Sequence, residues 1–430
     1  MIFYEDLSEL QKQAYNIAIH PKEKVTRIVG YAGTGKTTVL ACVAREYGNK
    51  CIVLTPTNKA SIVLKEKKIK AQTIHSFLYA PIEMVEYKKD KEGNILYQKD
   101  SEGNELVNED GERLAFVAKK ELQFAMRTDH ENIPRIALID EASMIGSKIF
   151  VDLCMVFDFI ILFGDGFQLP PVKDKDILNG TRPDIFLSEV HRVAMDNPIT
   201  RFATDIRNGL NPSIRDYMIE HNSDKREICY AKFGHPKLFQ SIIENQAQVI
   251  CYSNSTRHNL NNQIRSAKGY SPNTLMAGEP VVCLENWREM KYNDNDERME
   301  QLVFYNGQIV ETETDNNMTN DNFVALPNKI KGYGTKFILP FWNHDYFSIA
   351  DDSTRWWNEF QRRKLTKDKP VRGIKMDYSY AITAHKAQGS EYDVVAIMDE
   401  RSKVRDGHAQ RWYYTAITRA KQRLLLIDCG

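Results

Sequence analysis

Three absences narrow the reading first. No run of about 18 apolar residues occurs in the 430-residue chain, so no membrane-spanning helix and no membrane partner are expected. The acidic opening "MIFYEDLSEL" does not support a signal peptide, which leaves a cytoplasmic location as the expectation. Seven cysteines are scattered without a Cys-x-x-Cys pair, which points to reduced thiols and away from a zinc site. Net charge is absent too: 58 Lys and Arg face 58 Asp and Glu, so a polyanion would have to be met by a local basic groove. What the chain does have is a 42% hydrophobic content and length enough for two or three domains.

Short apolar runs alternate with helical patterns at the start: "TRIVG", "TTVLACVAREYG", "CIVLTP", then "RIALIDEAS" and "FIILFGD". That rhythm predicts α/β architecture, a parallel sheet flanked by helices. It is broken at 79–133 by a charged segment whose "KEGN", "SEGN" and "EDGE" read as glycine turns of hairpins. It is broken again at 268–371, where short strands suggest a small barrel and "DDSTRWWNEFQRRKLTKDK" an aromatic, basic helix. The division is therefore 1–78 and 134–180 for a first α/β domain carrying the insertion 79–133, and 181–267 with 372–430 for a second carrying 268–371. No internal repeat is evident.

The stretch 30–37, "GYAGTGKT", fits Gly-x-x-x-x-Gly-Lys-Thr between a strand and a helix. Gly30, Gly33, Thr34, Gly35, Lys36, Thr37 and Thr38 are the expected nucleotide contacts. Glycines let backbone amides cradle phosphate oxygens, Lys36 meets the β and γ phosphates of ATP, and the Thr37 hydroxyl ligates Mg2+. In "ALIDEAS" an apolar strand ends in Asp140 and Glu141. The first is placed to hold the magnesium and the second to polarise the attacking water. Two carboxylates delivered by a buried strand need a cation or a proton beside them.

Further motifs fall at element ends on both α/β units: "LTPTNKAS", "TIHSFL", "FGDGFQLPPV", "LSEVHR", "YAITAHKAQGSEYDVV" and "YTAITRAK". In this order they resemble the motif series of superfamily 1 helicases, and most resemble the small phage Dda DNA helicases of the 5′-to-3′ subgroup, 1B. The resemblance spans nearly the whole chain and is weak in the two insertions. It implies two RecA-like domains, a β-hairpin insertion in the first, and a Src-homology-3-like barrel with a helical arm in the second. The implied activity is an ATP-dependent DNA helicase that translocates 5′ to 3′ on single-stranded DNA, in the host cytoplasm if phage-encoded. Single-stranded and fork DNA are the partners, a single-stranded DNA-binding protein is a further candidate, and a monomer is expected. An RNA helicase, an ATP-gated clamp that does not unwind, and a nucleotide kinase with the same phosphate loop are the alternatives.

By the same resemblance Gln168 reaches the γ-phosphate while the Pro170–Pro171 turn touches the strand. Arg192 and Arg419 are arginine fingers. Gln11 reads the adenine edge, an exposed helix glutamine being its alternative. A salt bridge to Glu189 is the alternative for Arg192. Gly389 permits close backbone approach, and Glu391 faces the nucleotide or the strand. The strand itself is expected on Pro56, Thr57, Asn58, Thr73, His75, Pro170, Thr383, His385 and Lys386, small polar groups suited to sugar and phosphate contacts. Tyr97, after the Gly93–Asn94 turn and beside Ile95 and Leu96, is the candidate ring for splitting the duplex. Packing on its own hairpin or against Trp356 and Trp357 is the alternative there.

Overall fold

The structure, a computed structural model, describes residues 3–429 apart from 100, 101, 103, 108–110, 112, 128–132, 172, 173, 176, 179, 180, 190–196, 211–213, 222–226, 272, 273, 285, 293–297, 313–315, 318–322, 330–335, 343–375 and 406. Two parallel sheets organise it. The first joins β1 (Val25–Gly30), β2 (Cys51–Thr55), β3 (Ala71–Thr73), β6 (Ile136–Ile139), β7 (Phe159–Gly164) and β8 (Ile185–Leu187) in the order β3-β2-β6-β7-β1-β8. Strands buried on both faces carry unbroken apolar runs, as β7 does. Its Ile161 and Phe163 pack with Leu40 and Val43 of the helix Lys36–Tyr47, while Ile160 and Leu162 pack on the opposite face with Leu153 and Phe157. Parallel connection of this kind puts the loops after β1, β2, β3, β6 and β7 along one edge, where α/β folds bind ligands.

Between β3 and β6 lies an antiparallel ribbon of β4 (Tyr79–Tyr87) and β5 (Val117–Met126). Beyond it the chain closes two rings. Lys88 N–H donates to Phe116, Phe116 to Leu96 and Leu96 to Lys88; Gln98 donates to Leu114, Leu114 to Leu106 and Leu106 to Gln98. The sequence holds a matching short repeat, "DKEGNIL" at 90–96 and "DSEGNEL" at 100–106. This corrects the expectation of no repeat; two copies ten residues apart lie below the period at which solenoid repeats are sought.

The second parallel sheet joins β9 (Ile228–Lys232), β10 (Gln248–Cys251), β20 (Ala381–Thr383), β21 (Tyr392–Asp399) and β22 (Ala420–Asp428) in the order β20-β10-β21-β22-β9. Every described pairing in its insertion is antiparallel. β12 (Pro280–Cys283) lies between β15 (Ile309–Glu311) and β19 (Met376–Tyr378), while β11 (Thr274–Leu275) pairs with β16 (Asn316–Asn317), β13 (Trp287–Tyr292) with β14 (Arg298–Phe304), and β17 (Phe323–Lys329) with β18 (Lys336–Trp342). Barrel closure is not among the described pairings, and the arm with Trp356 and Trp357 lies outside the described residues. Two buried ion pairs fix the base of this insertion: Arg257 to Asp377 at 2.9 Å, and Arg265 to Glu279 at 2.7 Å.

One boundary moves. β8 pairs with β1 in the first sheet, and the helix Pro198–Arg207 packs into the second core through Phe202 and Ile206. The passage between the domains therefore falls after Leu187 rather than at 180/181. The apolar run "DIFL" of β8 is only three residues long as a strand, too short to announce its sheet.

Candidate functional site: a nucleotide cleft between two domains

The phosphate loop follows β1 as expected. Gly33 and Gly35 have φ of 78° and 77°, left-handed backbone that glycine adopts without strain. Gly30 is needed for a different reason: a Cβ there would lie 2.7 Å from Leu187 Cβ and 2.8 Å from Thr34 Oγ1. Overpacking of that kind costs about 1–3 kcal/mol. Gly30→Ala is accordingly expected to lower urea-unfolding stability by that amount and to weaken nucleotide binding with it; unchanged stability would show that β8 does not press on the loop.

Lys36 Nζ donates to the carbonyls of Gly30 (2.8 Å) and Tyr31 (2.7 Å), so the ammonium is held over its own loop. Gln11 is not an exposed helix residue. It is 3% exposed, its Nε2 donates to the Thr34 carbonyl at 3.0 Å, and its Oε1 accepts from Ser8 N–H at 3.0 Å. A capping-box side chain thus also fixes the loop. Thr37 Oγ1 lies 3.5 Å from Asp140 Oδ2. Burial first, and the neighbouring Glu141 second, push the Asp140 carboxyl up to about 7. A carboxylate this costly to ionise beside a hydroxyl fits a divalent cation. Glu141 stands at φ 53°, a left-handed conformation that costs a residue with a Cβ about 1–2 kcal/mol.

The turn after β7 joins the two domains. Leu169, from the first domain, is 3% exposed and belongs to the core cluster of the second, with Ile382, Trp412 and Leu424. Both its backbone groups are held there: its N–H donates to Thr415 Oγ1 (3.0 Å), and its carbonyl accepts from Gln388 Nε2 (3.1 Å). One residue earlier, Gln168 is 4% exposed, and its Oε1 takes no hydrogen bond among the described residues. A buried acceptor without a donor costs about 1–3 kcal/mol, a cost that a bound donor would remove. Three residues before that, Asp165 accepts from Tyr414 Oη (2.8 Å), and Tyr414 Oη in turn accepts from the phosphate-loop amide of Ala32 (3.1 Å). Arg411 completes the grip by donating to the Gly166 carbonyl.

Arg419, 5% exposed, bonds within its own domain to the carbonyls of Thr415 (3.1 Å) and Ser390 (3.2 Å) and to Thr418 Oγ1 (3.1 Å). It lies at the domain boundary: burial, and then the charge of Arg419, lower the Lys59 ammonium of the first domain to about 8. Lys59 Nζ also donates to Tyr392 Oη across the cleft. Glu391 is exposed, 3.8 Å from Lys421, and lines with Ala32, Gly33, Arg207 and Tyr414 a cavity of about 410 Å³ between the domains. Arg207 covers the Tyr31 ring at 3.3 Å. Arg192 lies outside the described residues.

The expected strand contacts sit on loops at the same sheet edges. Thr57 and Thr73 already have work as helix caps, accepting from Ala60 and Ser76 N–H, whereas Thr383 makes no such bond. Asn58 donates to Asn286 of the second domain's insertion. Gly389, at φ 72°, faces Thr57 and Ala60, with a Cβ there 3.7 Å from Ala60 Cβ. Pro56, Pro170, His385 and Lys386 are half-buried and His75 is exposed. Burial, then His408, hold the His385 imidazole below its ordinary value. Tyr97 is half-buried on its own hairpin, opposite Ala115, with the Arg113 guanidinium 4.5 Å from its ring centre. Lys59, Arg207, Gln388, Tyr414 and Thr415 were missed as site residues. Lys59, Gln388, Tyr414 and Thr415 stand inside quoted motifs, so position was the available signal, and only the contacts reveal them.

A phosphate loop, an acidic pair at the neighbouring strand end and a cleft walled by a second parallel sheet define a two-domain, RecA-like P-loop protein. Residues 6–223 match the family described as AAA domain, and residues 378–427 the UvrD-like helicase C-terminal domain. The chain belongs to the AAA domain family, and its C-terminal part matches a helicase domain model. It is similar to the RecBCD enzyme subunit RecD of Buchnera aphidicola, 23% identical over 98% of this chain and 73% of that protein. An uncharacterized protein of Methanocaldococcus jannaschii is 21% identical over 99% of this chain, which spans 38% of that relative's length. Among solved structures, a Pif1 helicase described in DNA unwinding at forked dsDNA matches at TM-score 0.51 and 17% identity, and Bacteroides Pif1 bound to ssDNA at 0.50 and 18%; each match covers 99% of this chain and 92% of the other. At such identities the likeness is one of fold.

Proposed function

We propose that this chain is an ATP-dependent DNA helicase that moves 5′ to 3′ along single-stranded DNA and opens duplexes ahead of it. The observation that carries the reading is the turn 164–171: Leu169 is buried in the second domain while Gln168, beside it, is buried with an unpaired oxygen. A change felt by Gln168 must therefore move the second domain or break two hydrogen bonds. The direction rests on the resemblance to subgroup 1B, and the DNA substrate is supported by the Pif1 relatives described with ssDNA and forked dsDNA. Both walls of the cleft come from one chain, so a monomer suffices.

In the proposed reaction, Glu141 accepts a proton as the water oxygen bonds to the γ-phosphorus and the bond from that phosphorus to the ADP oxygen breaks. Gln168 Oε1 accepts the water's second hydrogen bond and Lys36 leaves its loop carbonyls for the phosphates. Arg419, exchanging backbone partners for phosphate oxygens, neutralises charge on the transferred group. Thr37 and Asp140 would hold a magnesium ion, which would supply neutralisation of the phosphate charge. Arg192 is assigned the same role as Arg419 by resemblance. Gln11 is assigned to the adenine edge by resemblance, and would exchange its bonds to Thr34 and Ser8 for the base.

The strand is proposed to cross Pro56, Thr57, Asn58, Thr73 and His75 on one domain and Thr383, His385 and Lys386 on the other. Contacts to a polyanion release counterions, so binding of an oligothymidine should weaken steeply with added salt and should stimulate ATP hydrolysis. A flat salt dependence, or hydrolysis indifferent to DNA, would contradict the reading. Tyr97 is proposed to meet the last base pair at the fork, trading its Arg113 cover for a base; such stacking contributes about 1–3 kcal/mol per base. Tyr97→Ala should then preserve DNA-stimulated hydrolysis while unwinding falls several-fold. Unchanged unwinding would assign the ring to its hairpin alone.

A further inference from the structure

The first sheet has a second built feature, at the end away from the phosphate loop. A shallow cavity of about 910 Å³ opens where the helices Lys36–Tyr47 and Asn58–Glu66 end and β2 and β3 begin. Its floor is aliphatic, with Ile52, Val53 and Ile69. Its rim carries Lys65, Lys67, Lys68, Lys70 and Arg45 against one acid, Glu66. Lys65, Lys68 and Lys70 are exposed, and none makes an ion pair among the described residues.

Lys68 is held there at a cost. The helix closes with Lys68 N–H donating to Lys65 O and Ile69 N–H to Leu64 O, both 2.9 Å, with Lys68 at φ 63°. That is the Schellman closure, in which the left-handed residue is usually glycine. A lysine there costs about 1–2 kcal/mol in backbone strain and fixes a cation at the rim.

We propose that this cavity docks an acidic peptide segment that carries large apolar side chains, supplied by a partner protein. Charge complementarity to the unpaired lysines selects the acid, and the aliphatic floor selects the apolar side chains. Nucleic acid fits less well. Among the described residues no aromatic ring on which a base could stack lines the cavity, and it opens at the starts of β2 and β3, whereas the proposed strand contacts lie at their ends.

The test uses the full chain and a fluorescein-labelled 12-residue peptide alternating Asp or Glu with Leu or Phe, followed by anisotropy. Binding is expected at low salt, at least tenfold weaker in Lys65→Glu/Lys68→Glu/Lys70→Glu, and weaker also when the peptide's Leu and Phe are replaced by Ser. DNA-stimulated ATP hydrolysis should be unchanged in that variant. Lys68→Gly guards against a folding artefact: it should raise the unfolding midpoint while still weakening the peptide. Absence of peptide binding, or equal binding by the wild type and both variants, overturns the proposal. If the variant instead loses affinity for an oligothymidine and not for the peptide, the cavity is a nucleic-acid contact and the proposal fails while the helicase reading stands.

Discussion

Glu141→Gln is expected to bind ATP within a few-fold of the wild type and to turn it over about 10²- to 10⁴-fold more slowly, the range in which a positioned general base contributes. The substitution keeps size, backbone and hydrogen-bonding reach and removes only the basic oxygen. It also leaves the left-handed backbone at φ 53° in place, so folding and catalysis can be separated with a second variant. Glu141→Gly relieves the strain and should raise stability by about 1 kcal/mol while abolishing turnover just as fully. Strain kept where glycine would fit marks a residue placed for its chemistry. Single-turnover hydrolysis with nucleotide binding measured in parallel decides it, and normal turnover in Glu141→Gln would remove the assignment.

Arg419→Ala should lower kcat by about 10³- to 10⁵-fold, the range measured for arginine fingers, with a far smaller change in nucleotide affinity. The difference arises because charge on the transferred phosphoryl develops in the transition state and is small in the bound ground state. Arg419 also holds two carbonyls of its own domain, so some loss of thermal stability is expected as well. Arg419→Lys discriminates between the roles. It restores the charge but not the planar fork, so it should recover part of the stability and little of kcat. Equal losses in affinity and kcat for Arg419→Ala would make it a ground-state contact instead.

How far the sequence led depended on whether a feature is local. The phosphate loop, the acidic pair and β7 were legible because each combines a fixed spacing with an apolar run, and both signals survive without neighbours. Gln168 and its proline turn were legible as an oddity at a strand end. Their meaning was not: that Leu169 enters the other domain's core depends on Thr415 and Gln388, 246 and 219 residues away. Tyr414 was hidden likewise, since a tyrosine in a helix of mostly buried residues reads as core until its hydroxyl is seen between Ala32 and Asp165. Gln11 was open to two readings, the adenine edge or an exposed helix position; the capping box that turns its carboxamide toward Thr34 buries it and removes the second. The short strand β8 and the ten-residue repeat at 90–106 were missed because neither is long enough for periodicity to rise above composition.

Hydrolysis in this cleft is proposed to drive one-way movement on a DNA strand. Strand displacement on a duplex with a single-stranded tail tests it most directly, with 5′-tailed and 3′-tailed DNA compared and RNA-tailed duplexes alongside. ATP-dependent displacement is expected from the 5′ DNA tail, with little from the 3′ tail and none with Glu141→Gln. Displacement from the 3′ tail alone would contradict the direction, preference for an RNA tail would contradict the substrate, and DNA-stimulated hydrolysis with no displacement from either tail would make the protein a clamp and not a helicase.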